Sequence, residues 1–201
     1  VRKKSMKIVG MIPARMGSQR VPRKNIRLLN GRPMIDYVLE SASKVSIFDE
    51  VYVNSEDEIF TDLCDFYGFN FYQRPKRLSS HTSTNDQFAE DFLKKIDCDV
   101  LIQMLPTSPF LTSEEINNFI SQMLEENFDT LISVEDKQIA CVYEDNPINF
   151  KRLIPNPPSQ TMQPIKVYAT ALMGWKSKTF LENMNQYSSA YHGGKGKTGF
   201  F

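Results

Sequence analysis

The stretch that most restricts how this chain can fold runs from Lys7 to Asn25, where an apolar run changes abruptly into a loop rich in cations. The apolar run, IVGMI, has β-branched residues and no helical period, which predicts a strand buried on both faces of a sheet. The loop that follows, here called the basic loop, has no acidic residue, and its cations are Arg15, Arg20, Arg23, Lys24 and Arg27. Because a cluster of cations favours a negatively charged ligand, the sequence predicts that the basic loop binds a polyanion.

The basic loop lacks both glycine-rich phosphate motifs, GxxxxGK[ST] and GxGxxG, and Gly17 is its one glycine. Side chains must therefore provide most of the phosphate contacts. Arg15 and Lys24 are candidates for clamping a triphosphate, and Ser18 for donating to its oxygens. Asn25 has a donor and an acceptor suited to a base edge or a sugar hydroxyl. The alternative is a solvated loop that only keeps the protein soluble, but such a loop has no need to follow a buried strand.

Length and charge exclude several classes of protein. At 201 residues the chain has the size of one α/β domain, which is large enough to bury a core without disulfides. The 24 Lys and Arg residues equal the 24 Asp and Glu residues, so no overall field favours nucleic acid or an anionic membrane. No stretch approaches the roughly 18 consecutive apolar residues of a membrane span. We therefore expect neither a nucleic acid nor a membrane as a partner.

The cysteines carry no recognisable chemistry. Cys64, Cys98 and Cys141 are far apart in the sequence, lack metal-ligand spacing and are odd in number. These features predict reduced thiols and a cytoplasmic protein.

Strand-like and helix-like segments alternate along the chain, which predicts an α/β fold: a Rossmann-like, doubly wound, mostly parallel sheet with helices on both faces. The predicted strands after the first are 50–54, 70–72, 100–104, 130–134 and 167–175, and the predicted helices begin near 35, 58, 86, 113 and 178. In the helix over 58–67, the spacing predicts that Ile59, Leu63 and Phe66 form the buried face.

Three polar segments are expected at one edge of this sheet. They are the basic loop, the segment 74–86 (RPKRLSSHTSTND) and the turn 105–115 (LPTSPFLTSEE). Ligands in open α/β sheets bind beyond the carboxyl ends of the strands, so these segments should meet there. The Ser and Thr residues of the last two segments also predict caps for the helices that follow them.

From Lys137 the regular period disappears, and prolines at 147, 155, 157, 158 and 164 predict an extended arm over 137–166. The domain organisation is then a nucleotide-binding core over 6–136, the arm, and a return to the core over 167–201. The arm's scattered apolar residues predict a homodimer in which they pack on a second subunit. A loop folded on its own domain is the alternative. The unpaired Phe200-Phe201 ending predicts further residues beyond the C-terminus.

The run IPARMGSQRVPRKN, residues 12–25, resembles the opening motif of the CMP-sugar-acid synthetases, the acylneuraminate cytidylyltransferases and their relatives. Three further segments match that family in the right order. They are Arg74-Pro75 leading to Ser83-Thr84-Asn85, the PTSPF turn at 106–110, and the strand at 129–134. The resemblance covers residues 6–134 well and the remainder poorly.

The resemblance implies transfer of CMP from CTP to the anomeric hydroxyl of a sialic-acid-like 2-keto-3-deoxy sugar acid, with release of pyrophosphate and with Mg²⁺ as cofactor. The implied catalytic residues are Arg15 and Lys24. The implied nucleotide-binding residues are Ala14, Arg15, Gly17, Ser18, Lys24, Asn25, Arg74, Ser83, Thr84 and Asn85. The implied sugar-binding residues are Gln103, Thr107, Ser108 and Tyr168. For Gln103, in an apolar strand, a contact with the backbone remains an equal alternative.

The departures from the family pattern fall on the sugar side. Leu105 stands where the family has Gln or Asn before PTSP, no basic residue lies near Leu111, and Ser159 to Met162 replaces a basic residue followed by Gln. CTP is therefore the firmer half of the expectation. The alternative is a CTP-binding domain with a degenerate sugar pocket and little or no catalysis.

The metal ligands are not identified by the sequence. The Asp-x-Asp pair of the family is missing, and residues 185–201 contain no acid. Either the C-terminus is incomplete, which we expect, or the protein lacks that ligand set. Glu56 and Asp57 follow a predicted strand toward the same edge, but acids in such positions are more often helix caps.

Overall fold

A seven-stranded sheet forms the centre of the computed structural model, which describes residues 6–18, 21–155 and 158–201. The strands are β1 (Ile8–Pro13), β2 (Leu28–Leu29), β3 (Arg32–Pro33), β4 (Glu50–Ser55), β5 (Asn70–Gln73), β6 (Val100–Met104), β7 (Thr130–Lys137), β8 (Val142–Tyr143), β9 (Asn146–Pro147), β10 (Ile165–Lys176) and β11 (Thr198–Phe200). The helices are α1 (Met34–Ser43), α2 (Thr61–Tyr67), α3 (Asn85–Leu93), α4 (Ser113–Glu125) and α5 (Ser177–Tyr187). Arg20 and Pro157, which the sequence analysis named, lie outside the described residues.

The strand order in the sheet is β11-β7-β10-β6-β1-β4-β5. β1 pairs in parallel with β4 and β6, β4 with β5, and β7 with β11. Only β10 runs antiparallel to its neighbours β6 and β7 in the described sheet. The predicted mostly parallel α/β fold is confirmed, and the apolar run of β1 is buried in the middle of the sheet, as predicted.

Helices cover both faces of the sheet, which places a separate hydrophobic core on each side. On one face the core contains Ile35 of α1 and Ile116 of α4. On the other face it contains Phe88 of α3 and Phe180 of α5. Among the described residues, no helix combines the length and apolar character that a membrane crossing requires.

Two helices that border the site begin with capping boxes. The Thr84 side chain accepts a hydrogen bond from the Gln87 backbone N–H, and the Gln87 side chain accepts from the Thr84 N–H. Thr112 and Glu115 make the same reciprocal pair at the start of α4. The predicted Ser/Thr caps are confirmed, and each cap satisfies backbone donors that a helix start leaves unpaired.

The predicted buried face of the second helix is wrong at two of its three residues, whereas Leu63 packs against the core. Ile59 and Phe66 are exposed, Phe66 at 79%, whereas Phe60 and Cys64 are buried. The cause is a 3-10 turn over Glu58–Phe60 before α2, because its tighter winding shifts which residues face the sheet. A period of 3.6 residues read through this turn therefore gives the wrong face.

The last two phenylalanines, Phe200 and Phe201, are not unpaired. β11 pairs in parallel with β7 at the edge of the sheet, and the Phe201 ring packs edge-on against Phe119, with the centroids 5.3 Å apart. Gly199 lets this strand lie close to the ring of Phe128, because a Cβ there would come within 2.5 Å of that ring. The segment 190–201, called the tail below, is thus an integral part of the sheet.

The arm leaves the core as the extension of β7 and returns as the start of β10. Its tip contains the β8–β9 hairpin, whose turn residues Glu144 and Asp145 both have positive φ, as a type I′ turn requires. Apolar side chains of the arm are exposed, including Leu153 at 98%. These exposed side chains do not pack on the arm's own domain.

All three cysteines are free thiols. Burial raises the pKa of Cys64 and of Cys98 to about 11, so both stay protonated at neutral pH. A neutral buried thiol is a poor nucleophile, which agrees with the absence of a chemical role for these residues.

Candidate functional site

Two neighbouring cavities open beyond the carboxyl ends of β1 and β6. β4 lies on one side of β1 and β6 on the other, so the direction in which strands are added to the sheet reverses at this point. Ligands of open α/β sheets bind at such a reversal. Pro13, Arg15, Asn85 and Leu105 line both cavities, which therefore form one groove.

The smaller cavity, called the narrow cavity, has a volume of about 190 Å³. Apart from the shared residues, its described lining comes from one stretch of chain between β5 and the first turn of α3: Arg74, Leu78, His81, Ser83 and Phe88. The cavity thus combines a cation, an aromatic ring and hydroxyl and imidazole groups. This combination suits a flat, polar ring.

Arg74 is the most unusual residue of the narrow cavity, because it is a cation with only 3% of its surface exposed. Its Nε donates to Asn54 Oδ1 at 2.7 Å and its Nη2 to the Asn54 carbonyl at 2.8 Å. Its guanidinium lies 4.4 Å from the centre of the Phe88 ring. No ion pair in the described part of the chain includes Arg74.

Burial lowers the pKa of Arg74 to about 10, an effect that the charge of Glu56 opposes and the charge of Arg15 reinforces. The guanidinium stays charged at neutral pH, and a guanidinium has five N–H donors, of which Asn54 receives two. A buried cation with donors to spare at the wall of a cavity is a candidate for binding a ligand with acceptor atoms.

The larger cavity, called the wide cavity, has a volume of about 740 Å³. Apart from the shared residues, the basic loop and its flank contribute Ser18, Val21, Lys24 and Asn25, and the remaining described lining consists of Pro106, Thr107, Thr170, Tyr191 and His192. A positively charged loop therefore faces a polar and aromatic wall across this cavity.

The start of the basic loop is held by the end of β4. The Ala14 N–H donates to the Asn54 carbonyl at 2.9 Å, which continues the β1–β4 pairing one residue beyond the strand. The Met16 N–H then donates to Glu56 Oε1 at 2.8 Å. The second carboxylate oxygen of Glu56 is buried and has no partner among the described residues.

Two side chains hold the rest of the loop. Asn25, which is buried, donates from Nδ2 to the Arg15 carbonyl at 2.9 Å and so closes the loop on itself. Arg15 Nη1 donates to the Ser80 carbonyl at 3.1 Å, which joins the loop to the segment that lines the narrow cavity. Arg15 therefore lies at the junction of the two cavities.

The tail forms part of the wall of the wide cavity through Tyr191. Asp86 Oδ1 accepts from the Ala190 N–H at 2.6 Å and from the Tyr191 N–H at 2.8 Å. The Tyr191 hydroxyl accepts from Gln103 Nε2 at 3.0 Å and is also hydrogen-bonded to Asn85. Burial raises the pKa of Tyr191, so its hydroxyl is neutral.

Thr170 lies at the mouth of the wide cavity in a strained conformation. Its φ is +55°, a left-handed value that β-branched residues rarely adopt. It occurs where the pairing of β10 with β7 shifts register between Tyr168 and Met173. Strain of this kind often marks a functional site, and here it brings the Thr170 side chain to the cavity.

The structure brings most of the predicted site residues to the groove. The predicted residues that line at least one cavity are Arg15, Ser18, Lys24, Asn25, Arg74, Ser83, Asn85 and Thr107. They come from three separate segments of the chain. The predicted meeting of three polar segments at one edge of the sheet is confirmed.

Six predicted residues lie elsewhere, among the described positions that do not line either cavity: Ala14, Gly17, Thr84, Gln103, Ser108 and Tyr168. Thr84 is used as the cap of α3, and Gln103, 1% exposed, lies behind Tyr191. Tyr168 packs against the His192 ring, with centroids 5.5 Å apart. Gln103 and Tyr168 therefore support wall residues rather than form the wall.

Sequence reasoning missed Leu78, Phe88, Thr170, Tyr191 and His192 as lining residues. Phe88 lies in the first turn of α3, directly after a polar segment and the Thr84 cap, and this position is the signal that could have identified it. Tyr191 and His192 carry no local signal, since their position depends on β11 pairing with β7 and on Asp86.

Comparison with known proteins connects this groove to one family. The family model described as Cytidylyltransferase matches residues 9–160. The chain is 28% identical over 167 residues to the N-acylneuraminate cytidylyltransferase of Escherichia coli O18:K1:H7, an alignment that covers 82% of this chain and 35% of that protein. It is 32% identical over 124 residues to the 3-deoxy-manno-octulosonate cytidylyltransferase 2 of Hydrogenovibrio crunogenus, covering 62% and 50%. The chain thus spans between 35% and 50% of the length of these two relatives.

A solved structure shares the fold. It is the CMP:2-keto-3-deoxy-manno-octonic acid synthetase complexed with CTP, with a TM-score of 0.71, 19% identity, and coverage of 92% of this chain and 79% of that one. The family model covers the basic loop, the lining of the narrow cavity and the PTSP turn in one continuous match. The chain therefore belongs to the cytidylyltransferase family, as its resemblance to the CMP-sugar-acid synthetases predicts.

Proposed function

We propose that the protein transfers CMP from CTP to the anomeric hydroxyl of a 2-keto-3-deoxy sugar acid and releases pyrophosphate. The observation that carries this proposal is the groove itself. Its narrow cavity has a buried cation beside an aromatic ring, and its wide cavity has the cations of the basic loop opposite a polar wall. Names of relatives, which include transferases for two kinds of sugar acid, support the reaction class.

The narrow cavity is the proposed site of the cytosine ring. Its volume of about 190 Å³ suits one small ring, and Arg74 has donors beyond those that it gives to Asn54. The carbonyl oxygen and ring nitrogen of cytosine are acceptors, so Arg74 would donate to them while Phe88 packs near the base. Ser83 and Asn85, at the rim, would contact the base or the ribose.

The basic loop is the proposed site of the triphosphate. Arg15, Ser18 and Lys24 line the wide cavity from one side and would hold the phosphates in line with the attacking oxygen. In the transfer, the anomeric oxygen bonds to the α-phosphorus, the bond from that phosphorus to the bridging oxygen breaks, pyrophosphate leaves, and the hydroxyl proton passes to solvent. Arg15 and Lys24 would oppose the negative charge that develops on the phosphate oxygens.

The polar wall of the wide cavity is the proposed acceptor side. Thr107, Thr170, Tyr191 and His192 offer hydroxyl and imidazole groups that suit a sugar acid with several hydroxyls. Both a sialic-acid-like nonulosonate and an octulosonate are compatible with this wall. The acceptor is therefore proposed as a class, and a panel of acids decides between its members.

Magnesium is proposed only as the ion that accompanies CTP. The described residues that line the two cavities include no carboxylate, and no group of three His, Cys, Asp or Glu residues among the described positions is arranged to hold a metal. Mg²⁺ prefers carboxylate oxygens, so these residues do not form a magnesium site by themselves. No step of the reaction is assigned to a protein-bound ion.

The arm is proposed as the contact between two chains of a homodimer. It exposes apolar side chains, and Pro147, Phe150 and Ile154 are among the residues that line an open groove of about 560 Å³ on it. Exposed apolar surface of this kind is usually covered by a partner. The arm extends from the sheet as a continuation of β7 and β10, so a partner can reach it without disturbing the site.

A second function, a CTP-binding domain with little or no catalysis, is favoured by one observation. Leu105 lines both cavities with an apolar side chain at the position where the resemblance expects an amide. Loss of that amide removes a polar group from the junction of nucleotide and acceptor. The protein would then bind CTP in the groove but would not bind a sugar acid beside it.

Pyrophosphate release measured with CTP, magnesium and a panel of sugar acids separates the two functions. We expect release with at least one nonulosonate or octulosonate, and none with CTP alone. The matched control is Lys44→Ala, because Lys44 is the residue that follows α1 and forms an ion pair with Glu40, away from the groove. CTP binding without release for any acid would support the binding domain and contradict the transferase.

A further inference from the structure

The role of Glu56 is not explained by helix capping. Its neighbour Asp57 accepts a hydrogen bond from the Ile59 N–H at 3.0 Å and so caps the 3-10 turn before α2. Glu56 instead turns toward the basic loop, 40 residues earlier in the chain, and accepts from the Met16 N–H at 2.8 Å. Asp57 thus caps the turn before α2, whereas Glu56 binds the basic loop.

A carboxylate beneath an anion-binding loop needs a physical reason, because it repels the ligand that the loop is proposed to bind. The structure provides one. Met16 lies between Arg15 and the Gly17-Ser18 turn, so its N–H is the point at which the loop can be held without using a side chain that lines the wide cavity. A hydrogen bond to a carboxylate is about twice as strong as one between neutral groups.

The backbone of Glu56 is itself held in place. Gln73 Nε2 donates to the Glu56 carbonyl at 3.0 Å, and the Asp57 N–H donates to Ser55 Oγ at 3.1 Å. β4 and β5 therefore both fix the position from which the carboxylate reaches Met16. The end of the sheet therefore holds the Glu56 carboxylate in place, and the carboxylate in turn holds the loop.

Resting on the proposed function, we propose that Glu56 is a positioning residue for nucleotide binding: its carboxylate holds the basic loop at Met16 so that Arg15 and Ser18 face the wide cavity. Glu56 does not touch the nucleotide. One oxygen, Oε1, carries this role, and Oε2 is buried with no partner in the described structure. The reach of this acceptor oxygen therefore sets the hold on the loop, and the negative charge strengthens the hydrogen bond.

Two substitutions separate reach from charge with little change in volume. Glu56→Gln keeps an oxygen at the same distance from the backbone and removes the charge. Glu56→Asp keeps the charge and withdraws the oxygens by one methylene group. Asp57→Asn is the matched control, since it alters the adjacent carboxylate that caps the 3-10 turn.

Two measurements are made on each variant of the full chain: hydrogen exchange at the Met16 amide without ligand, and calorimetry with CTP and magnesium. For Glu56→Asp we expect Met16 exchange at least about tenfold faster and a Kd for CTP about tenfold higher, as for the loss of a hydrogen bond to a charged group. For Glu56→Gln, which keeps the acceptor oxygen but weakens the hydrogen bond, we expect changes of about threefold, and for the control Asp57→Asn we expect both quantities within about twofold of the parent protein.

Several outcomes overturn the proposal. Unchanged Met16 exchange in Glu56→Asp shows that Glu56 does not hold the loop, and changed exchange with unchanged CTP affinity shows that the hold has no role in binding. A loss in Glu56→Gln as large as that in Glu56→Asp, or larger, contradicts the dependence on the reach of the acceptor oxygen. If the parent protein does not bind CTP, the proposed function fails, whereas the exchange rates still report whether Glu56 holds the loop.

Discussion

The narrow cavity takes its own lining from a single stretch, residues 74–88, whereas the wide cavity is assembled from the basic loop, the PTSP turn, β10 and the tail. The first is shaped by local structure: a short 3-10 turn over Lys76–Ser79, hydroxyl contacts among Ser80, Thr82 and Ser83, and the cap of α3. The second depends on strands that meet only in the folded sheet. The narrow cavity and the basic loop, called the nucleotide half below, are proposed to bind CTP. The wall of the wide cavity formed by Thr107, Thr170, Tyr191 and His192, called the acceptor half, is proposed to bind the sugar acid.

This difference indicates which substitutions change the wall of the wide cavity and leave the narrow cavity intact. A substitution at Thr170 or Tyr191 alters the wall of the wide cavity without contacting Arg74 or its partners. The departures of this sequence from the family pattern lie on the same acceptor side.

The largest expected effect belongs to Lys24, on the nucleotide half. We expect Lys24→Ala to lower kcat by at least about 100-fold, because a preorganised cation no longer opposes charge on the phosphates. Turnover is measured as pyrophosphate release at saturating CTP. Arg27→Ala is the control, as Arg27 is an exposed cation of the same loop that is not among the described lining residues. A rate for Lys24→Ala close to that of the control would contradict the role.

The next largest effect is expected for Arg74, and it should appear in the Kd for CTP rather than in kcat. Lys cannot supply the two directed donors that Asn54 Oδ1 and the Asn54 carbonyl receive, so Arg74→Lys should raise the Kd for CTP about tenfold. The unsatisfied acceptors should also lower the free energy of unfolding by about 1–3 kcal/mol. Calorimetry and urea unfolding measure the two changes. Unchanged affinity for CTP would place the base elsewhere.

A smaller effect is expected on the acceptor half. Tyr191→Phe keeps the ring and removes the hydroxyl that Gln103 and Asn85 contact. We expect the KM for the sugar acid to rise about fivefold, the size of one lost neutral hydrogen bond, and the KM for CTP to change less than twofold. Steady-state kinetics with each substrate varied in turn measures this. An equal rise in both KM values would show that the two halves are not independent.

The smallest effect on the groove is expected from the arm. Leu153→Glu places a charge on the most exposed apolar side chain of the arm and should convert dimers to monomers in sedimentation velocity, with the Kd for CTP changed less than twofold. Phe66→Glu is the control, because Phe66 is equally apolar and 79% exposed but lies on α2, outside the arm. Dimers that survive Leu153→Glu would argue against the proposed contact.

The sequence predicts the nucleotide half well because its signals are local. The apolar run of β1 followed by cations, and the Thr84 and Thr112 caps, each depend on a few neighbouring residues. Local patterns of this kind predict structure from a few residues, because a buried strand needs continuous apolar residues and a helix start needs a side-chain acceptor.

The acceptor half could not be predicted in the same way. Tyr191 reaches the wide cavity only because Asp86 binds two backbone amides 104 and 105 residues later in the chain. The strained Thr170 depends on a register shift in β10, and the buried face of α2 depends on a 3-10 turn with no distinct sequence signal. These features arise from tertiary packing, which overrides local propensity.

Calorimetry of CTP binding to the intact protein in the presence of magnesium tests the central claim, that the groove beyond β1 and β6 is a nucleoside triphosphate site. We expect saturable heat from CTP, and heat reduced by Lys24→Ala and by Arg74→Lys but not by Lys44→Ala. The absence of any heat from CTP with the intact protein would contradict the claim.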